Sequence, residues 1–526
     1  MPGSLVRDPW IVAPCLIAAA LALIALGDAP LSVDEAQTGV LARTMLETGL
    51  PWADDGVNVL GAPHHPEVDE RGLWALHPWL PLVVAAGSMG LFGVGAWQAR
   101  LPFALLGIGA LVLAVWLVER LAQDRHATRL AAWLLAGSVP WILHVRQARY
   151  YALAALLALA WIGWNERRDR RSTSWGIAAA VALFHTHYLV FLGTAAGVLT
   201  RRVQVRGWPA GLGAGLAIAA LAAPWLLLVN APEPSVKGVA VLKATFQVRF
   251  VADLNDWVLP LWLVPLVGWT LWRHPRRQAL WALALPLFTT ALVVPLIAIT
   301  PGIRYAVVAL VLGPVLLAVA CSRWGRGGVV LVAVATATNA LPLATWATTV
   351  GPGVLGGSPH AQRMVELLGP GFVPRVPLAE LAQELATRDD SATEVLSAWL
   401  QANLAPGQRA LIQGGLEPLA FHADVPLARL VPAGRWTSPH LGPPHLVAYG
   451  AEPPDWIAGT LAVYVPGCTG FKGLPPDVHR WLGADSEPLA VLPVAPCPVN
   501  SGADPRTHRF APTGTEPGLA IWGLPR

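Results

Sequence analysis

Two adjacent carboxylates, Asp34 and Glu35, follow the first apolar run of this chain by a few residues. If that run crosses a bilayer, they sit at the membrane boundary or just above it. Carboxylates there can be solvated loop residues, yet an acid near the membrane is by default a functional group. As catalytic candidates, Asp34 and Glu35 offer a general base that takes a proton from an attacking hydroxyl. Three arginines complement them. Arg146 and Arg149 precede one apolar run and Arg304 opens a later one; Arg149 is followed by Tyr150 and Arg304 by Tyr305. On a helix, three-residue spacing puts Arg146 and Arg149 on one face. Guanidinium forks bind phosphate bidentately, although an interfacial arginine can also simply snorkel. A carboxylate base and arginines on one side of a membrane suit chemistry on an anionic, lipid-linked substrate.

The residues between the first two runs add Asp54, Asp55, His64, His65, Glu67, Asp69, Glu70 and His77. Asp54, Asp55 and His77 are substrate-binding candidates. A further candidate, His187, belongs to His185-Thr186-His187-Tyr188. None of these spacings is that of a metal motif, and two-residue spacing does not put His185 and His187 on one helix face. The expectation is no metal and no cofactor, with a divalent cation as the alternative that the acidic loop leaves open. No P-loop or dinucleotide fingerprint is present.

Apolar elements must position these groups. The chain has 526 residues, 55% hydrophobic and only 13% charged, with mean hydropathy +0.51. Soluble domains carry about 25% charged residues. Repeated apolar runs make this a polytopic helical membrane protein. The net charge of +4 is not a nucleic-acid signal, because the arginine excess lies in short loops between runs. Eleven spans are expected: Trp10–Leu26, Leu101–Val118, Leu130–Leu143, Tyr151–Trp164, Trp175–Phe184, Leu189–Leu199, Trp208–Val229, Trp257–Trp272, Ala279–Ile299, Tyr305–Cys321 and Val329–Val350.

The positive-inside rule assigns the loops at Arg120/Arg125/Arg129, Arg167/Arg168/Arg170/Arg171, Arg201/Arg202/Arg206, Arg273/Arg276/Arg277 and Arg323/Arg326 to the cytoplasm. Trp175 to Leu199 has arginines at both ends, so it must cross twice, turning at His185-Thr186-His187. Trp79–Val94 as a full crossing would invert every later loop; it is expected to lie at the interface or re-enter. The N-terminus is then inside, and the loop 28–100, the candidate site residues and the C-terminus are outside.

After residue 351 proline, glycine and charge return. Helices are expected at Leu378–Leu385 and Ala392–Leu404, and strands at Ala410–Ile412, Leu427–Val431, Leu461–Val465 and Leu519–Trp522. The expected architecture is an all-α membrane bundle (1–351) followed by a small extracytoplasmic α/β domain (352–526). Cys468 and Cys497 lie in that domain, where a non-cytoplasmic compartment permits a disulfide; two free thiols are the alternative.

The order Asp-Glu after the first span, His-Pro before an apolar run, Gln-Ala-Arg-Tyr-Tyr-Ala-Leu at the head of a span, His-Tyr between short runs and a late Arg-Tyr carries a resemblance. Over residues 1 to 350 the chain resembles the integral-membrane C-type glycosyltransferases that use polyprenyl-phosphate sugars. The nearest groups are the dolichyl-phosphate-mannose–protein mannosyltransferases, the lipid A aminoarabinose transferases and bacterial enzymes that glycosylate lipopolysaccharide core. The resemblance implies Asp34 as the catalytic acid position with Glu35 beside it, and Arg304-Tyr305 facing the carrier phosphate. His77-Pro78 matches the start of a His-Pro-Pro motif whose last residue is here Trp79. The implied function is inverting transfer of a sugar from a polyprenyl-phosphate carrier to a lipid, glycan or protein hydroxyl, at the outer face of the inner membrane. The alternatives are a lipid-linked-oligosaccharide flippase, or a ligase or polymerase using a diphosphate donor.

Overall fold

Runs this apolar become helices because a helix satisfies its backbone polar groups within one segment. The structure is a computed structural model that describes residues 3–61, 67–167, 169–228, 239–298, 302–341, 376–386, 391–413, 416–432, 445–449, 461–464, 476–482, 487–492 and 519–523. Its helices are α1 (Gly3–Val6), α2 (Pro9–Leu23), α3 (Val33–Thr48), α4 (Leu80–Phe92), α5 (Ala96–Ala122), α6 (Arg125–Ala136), α7 (Val139–Val145), α8 (Tyr151–Asn165), α9 (Arg170–Phe184), α10 (Tyr188–Arg206), α11 (Trp208–Leu228), α12 (Val239–Asp253), α13 (Val264–Trp272), α14 (Arg277–Ile297), α15 (Val307–Cys321) and α16 (Gly325–Ala337). Among the described residues four stretches are long and apolar enough to cross a membrane: Ala96–Ala122, Trp208–Leu226, Arg277–Ile297 and Ile303–Cys321. Phe246–Val258 and Leu261–Trp272 make a fifth if counted as one span bent by 69°. Helices such as α2 and α8 have 15 residues. At 1.5 Å per residue they reach about 22 Å, short of the roughly 30 Å hydrocarbon core.

The expected turn at His185-Thr186-His187 separates α9 from α10. The expected span Leu130–Leu143 is divided instead. Helix α6 ends at Gly137, the Ser138 side chain accepts from the Trp141 N–H, and Pro140 sits in the first turn of α7. Residues 342–350 of the last expected span lie outside the described residues.

Helix α15 is the axis of the bundle. All its residues are buried, among α5, α6, α8, α14 and α16. Helices α10 and α14 approach closely because α10 presents glycines. A Cβ on Gly197 would lie 2.5 Å from the Pro286 backbone nitrogen, so any larger residue would force the pair apart. Asp8 ties the start of α2 to α6, accepting from Arg125 and Arg129 at 2.9 Å each.

Beyond the bundle, helices Pro377–Ala386 and Ala392–Asn403 precede a six-stranded sheet. Its strands are β1 (Ala410–Gln413), β2 (Leu427–Pro432), β3 (Leu446–Tyr449), β4 (Leu461–Tyr464), β5 (Ala490–Leu492) and β6 (Leu519–Gly523), in the order β3-β2-β1-β4-β6-β5. Strands β3, β2, β1 and β4 run parallel; β6 and β5 are antiparallel to their neighbours. A parallel pair needs a crossover, and helix Glu417–His422 lies in the one between β1 and β2. Cys468 and Cys497, and hence their expected pairing, lie outside the described residues.

Candidate active site

Helix α3 carries Asp34 and Glu35 in its first turn, and the two carboxylates have opposite fates. Glu35 is 2% exposed. Its Oε1 accepts from Arg100 Nε at 2.7 Å and the Ala148 N–H at 2.9 Å. Its Oε2 accepts from Arg100 Nη2 at 2.8 Å and the Ser32 N–H at 3.0 Å. Arg100 in turn donates to the carbonyls of Leu26, Ala29 and Pro30. Burial works to raise the Glu35 carboxyl, but Arg100 and the two backbone donors hold it below its usual value. The expectation of Glu35 as a catalytic group is therefore corrected: its oxygens are committed to holding the chain.

Asp34 keeps its carboxylate partly open, with 31% of the side chain exposed. Its Oδ2 accepts from Arg304 Nη1 at 3.1 Å. Burial raises the carboxyl, and Arg149, Arg304 and His77 outweigh it, holding Asp34 below the usual carboxylate value. Arg149 lies behind, 8% exposed. Its Nη1 donates to the Asp34 carbonyl at 2.9 Å, Thr38 Oγ1 at 3.1 Å and Gln37 Oε1 at 3.3 Å. Tyr150 donates to the Arg304 carbonyl at 3.3 Å, and Arg304 Nη2 donates to Tyr305 Oη at 3.1 Å. Residues separated by 270 positions thus meet through side chains at helix ends.

His187 completes the wall. It is 3% exposed, stacks on Tyr150 with ring centroids 4.0 Å apart, and lies 5.5 Å from His77 and 5.4 Å from Tyr305. Burial, reinforced by His77, Arg149 and Arg304, pushes its imidazole well below the usual range. That shift favours the neutral ring, and neither ring nitrogen has a hydrogen-bond partner among the described residues. A neutral imidazole both donates and accepts, as hydroxyl recognition requires. Among the described residues no three His, Cys, Asp or Glu side chains form a group able to hold a cation.

Three further candidates lie elsewhere. Arg146 donates to the carbonyls of Leu21, Ile24 and Ala25, closing the end of α2. The same-face expectation for Arg146 and Arg149 is corrected because Arg146 caps α7 and the chain then leaves the helix until Tyr151. Asp55, also expected to bind substrate, is corrected because its oxygens are committed to the fold, whereas Asp54 is exposed and stays a candidate. Asp54 accepts from the Gly56 N–H, while Asp55 accepts from the N–H groups of Val57 and Asn58 and pairs with Arg43 at 2.8 Å. They shape a turn beneath the sheet: the Asn58 side chain donates to the Val425 carbonyl and accepts from the Leu427 N–H.

Arg100, which buries Glu35, escapes a reading of the sequence, although it shows the feature that marks Arg149: an arginine at the head of an apolar run. His422, whose Nε2 accepts from the Leu31 N–H at 3.0 Å, carries no such signal.

No protein-family model matches this sequence, and no curated protein matches it. Solved structures do. ArnT from Cupriavidus metallidurans bound to undecaprenyl phosphate aligns with a TM-score of 0.59 at 16% identity, over 98% of each chain. The apo state of the same protein aligns with a TM-score of 0.58 at 15% identity, over 98% of this chain and 97% of that one. The chain has the fold of ArnT over nearly its full length.

Proposed function

We propose that this protein is a membrane glycosyltransferase that moves one sugar from a polyprenyl-phosphate carrier to a hydroxyl acceptor at the extracytoplasmic face. The observation that carries the reading is the Asp34–Arg304 pair at 3.1 Å: a half-open carboxylate and an arginine together, beside a second arginine and a buried histidine. A carrier phosphate would compete with Asp34 for the Arg304 fork, since phosphate offers several acceptor oxygens. Asp34, relieved of its partner, would take the proton of the acceptor hydroxyl. The hydroxyl oxygen then bonds to the anomeric carbon as the carbon–phosphate-oxygen bond breaks, and the electron pair leaves with the lipid phosphate. Arg304 stabilises the charge that grows there, and Arg149 adds positive field from behind. One displacement without a covalent sugar–enzyme intermediate inverts the anomeric centre. The His187 and His77 rings lie 5.5 Å apart beside the pair, and an imidazole in that position would suit a sugar hydroxyl.

The carrier assignment draws support from the bound undecaprenyl phosphate of ArnT and from the apolar helices around the site. In the same reading the bundle is an inner-membrane protein with eleven crossings, the shorter ones recessed around an outward-facing site, and the sheet lies outside the membrane. The acceptor is a lipid, glycan or protein hydroxyl. The test is transfer of radiolabel from polyprenyl-phosphate sugars in membranes holding wild type or Asp34→Asn, with diphosphate-linked donors in parallel. Transfer from the monophosphate donor that the variant lacks is expected. Equal transfer by both proteins would remove Asp34 as the base, and transfer only from the diphosphate would overturn the donor.

A further inference from the structure

We infer that the sheet-bearing C-terminal region is a working part of the site, and that His422 is a positioning residue for Asp34. The inference rests on the transferase reading above. The segment from Leu26 to Ser32 leads into α3 with little secondary structure of its own, so other parts of the chain must fix it. Arg100 takes its carbonyls at Leu26, Ala29 and Pro30. On the donor side, the Leu31 N–H goes to His422 Nε2 at 3.0 Å. Leu31 stands three residues before Asp34 and one before Ser32, the residue that caps α3. His422 ends the helix Glu417–His422, which lies along α3 itself.

That contact is shaped for close approach. Gly39 faces the Phe421 ring, and a Cβ there would come within 2.7 Å of it. Arg43 Nη2 donates to the Ala420 carbonyl at 3.3 Å. In the loop that follows α3, Asn58 donates to the Val425 carbonyl and accepts from the Leu427 N–H. Helix α3 is thus clamped along one side by the chain between β1 and β2, and its acidic end is set by His422. A reacting group displaced by about 1 Å can cost on the order of 10²-fold in rate, so one misplaced backbone donor at this point reaches the chemistry although His422 touches no substrate.

The experiment compares wild type with His422→Leu, His422→Gln and Gly39→Ala in nanodiscs. Leucine fills the space without an acceptor, whereas the glutamine side-chain oxygen can accept from the Leu31 N–H. Gly39→Ala presses on Phe421 at 2.7 Å and on the Leu31 side chain at 3.0 Å, so it loosens the Leu31–Phe421 contact as a whole while His422 keeps its acceptor nitrogen. The readouts are the single-turnover rate, donor affinity, melting temperature and amide exchange across residues 31–37. His422→Leu is expected to slow transfer about 10-fold or more, leave donor affinity unchanged and speed exchange at 31–37. His422→Gln restores most of both, and Gly39→Ala reproduces the slowing. Wild-type rate and exchange in His422→Leu, or equal losses in His422→Leu and His422→Gln that follow melting temperature alone, would overturn the inference. If wild type transfers no sugar at all, the transferase reading fails by itself, and the exchange data still decide whether His422 fixes the segment.

Discussion

Asp34 and Glu35 are neighbours with the same chemistry, each paired with an arginine from a distant helix, and they are opposites. The Glu35–Arg100 pair is closed: four donors fill the carboxylate, and the arginine spends its remaining capacity on three carbonyls. The Asp34–Arg304 pair is open, with side chains 31% and 44% exposed and one hydrogen bond joining them. A buried pair with every valence satisfied gives the fold a fixed point. An open pair keeps capacity that a substrate can claim. Unspent hydrogen-bonding capacity, more than charge or sequence position, separates the group that can act from the group that holds.

The largest expected effect sharpens this contrast. Asp34→Asn keeps size and removes basicity, and a lost general base costs about 10² to 10⁴ in rate. Donor affinity should hold or rise, because the amide competes less with phosphate for Arg304, and melting temperature should stay near wild type, measured by lipid-phosphate binding and by calorimetry. Glu35→Ala should do the reverse. Removing one partner of a buried pair leaves the other charge uncompensated and costs about 3–5 kcal/mol, read as a large fall in thermal stability, with lost activity tracking the lost folded fraction. If Glu35→Ala were stable and inactive while Asp34→Asn stayed active, the roles would have to be exchanged.

A third expectation concerns the open pair alone. Arg304 helps hold the Asp34 carboxyl below the usual value against burial. As the proposed base, Asp34 would then stay ionised below the ordinary carboxylate range. Without Arg304, burial is opposed chiefly by Arg149 and His77, so the carboxyl rises. The acid limb of kcat/KM, which reports the free enzyme, should move to higher pH in Arg304→Gln, and donor affinity should fall as well. Arg304→Lys should recover part of both, since it keeps the charge and loses the fork. An unmoved acid limb would mean that Asp34 and Arg304 do not share the pair in solution.

How much of this was legible in the sequence follows from the range of the forces. Helical runs follow from local hydropathy, so the spans around α5, α11, α14 and α15 were readable, as was the turn at His185–His187 between two arginine-rich ends. Strands β1, β2, β4 and β6 were foreshadowed by short apolar stretches between turns, whereas β3 and β5 were not. The pairing of Arg304 with Asp34 was approached only through their shared sidedness; contact across 270 positions is a property of packing. Partition between open and closed pairs was out of reach. Arg100 differs from Arg149 in no local feature that tells which carboxylate it will meet. The division of 130–143 into α6 and α7 was signalled by Gly137-Ser138 and Pro140, but a window sum of hydropathy averages such signals away.

The smallest effect tests the other misread pair, Arg146 and Arg149. Three-residue spacing places side chains together only on a continuous helix, and here the helix stops at Val145 and resumes at Tyr151. Arg146 consequently reaches back to the last carbonyls of α2, where a cation meets both unpaired acceptors and the negative end of the helix dipole. A cation in that setting contributes about 0.3–1 kcal/mol when exposed and up to about 2 when partly buried. Arg146→Met keeps the apolar stem and loses the charge, so a drop of a few degrees in melting temperature is expected, with rate and donor affinity per folded molecule unchanged. Arg149→Met should hold its melting temperature less well and also lose rate, because its donors grip the Asp34 carbonyl and Thr38 at the head of α3. A loss of donor affinity in Arg146→Met would return that arginine to the phosphate site and break the distinction between arginines that close helix ends and arginines that face substrate.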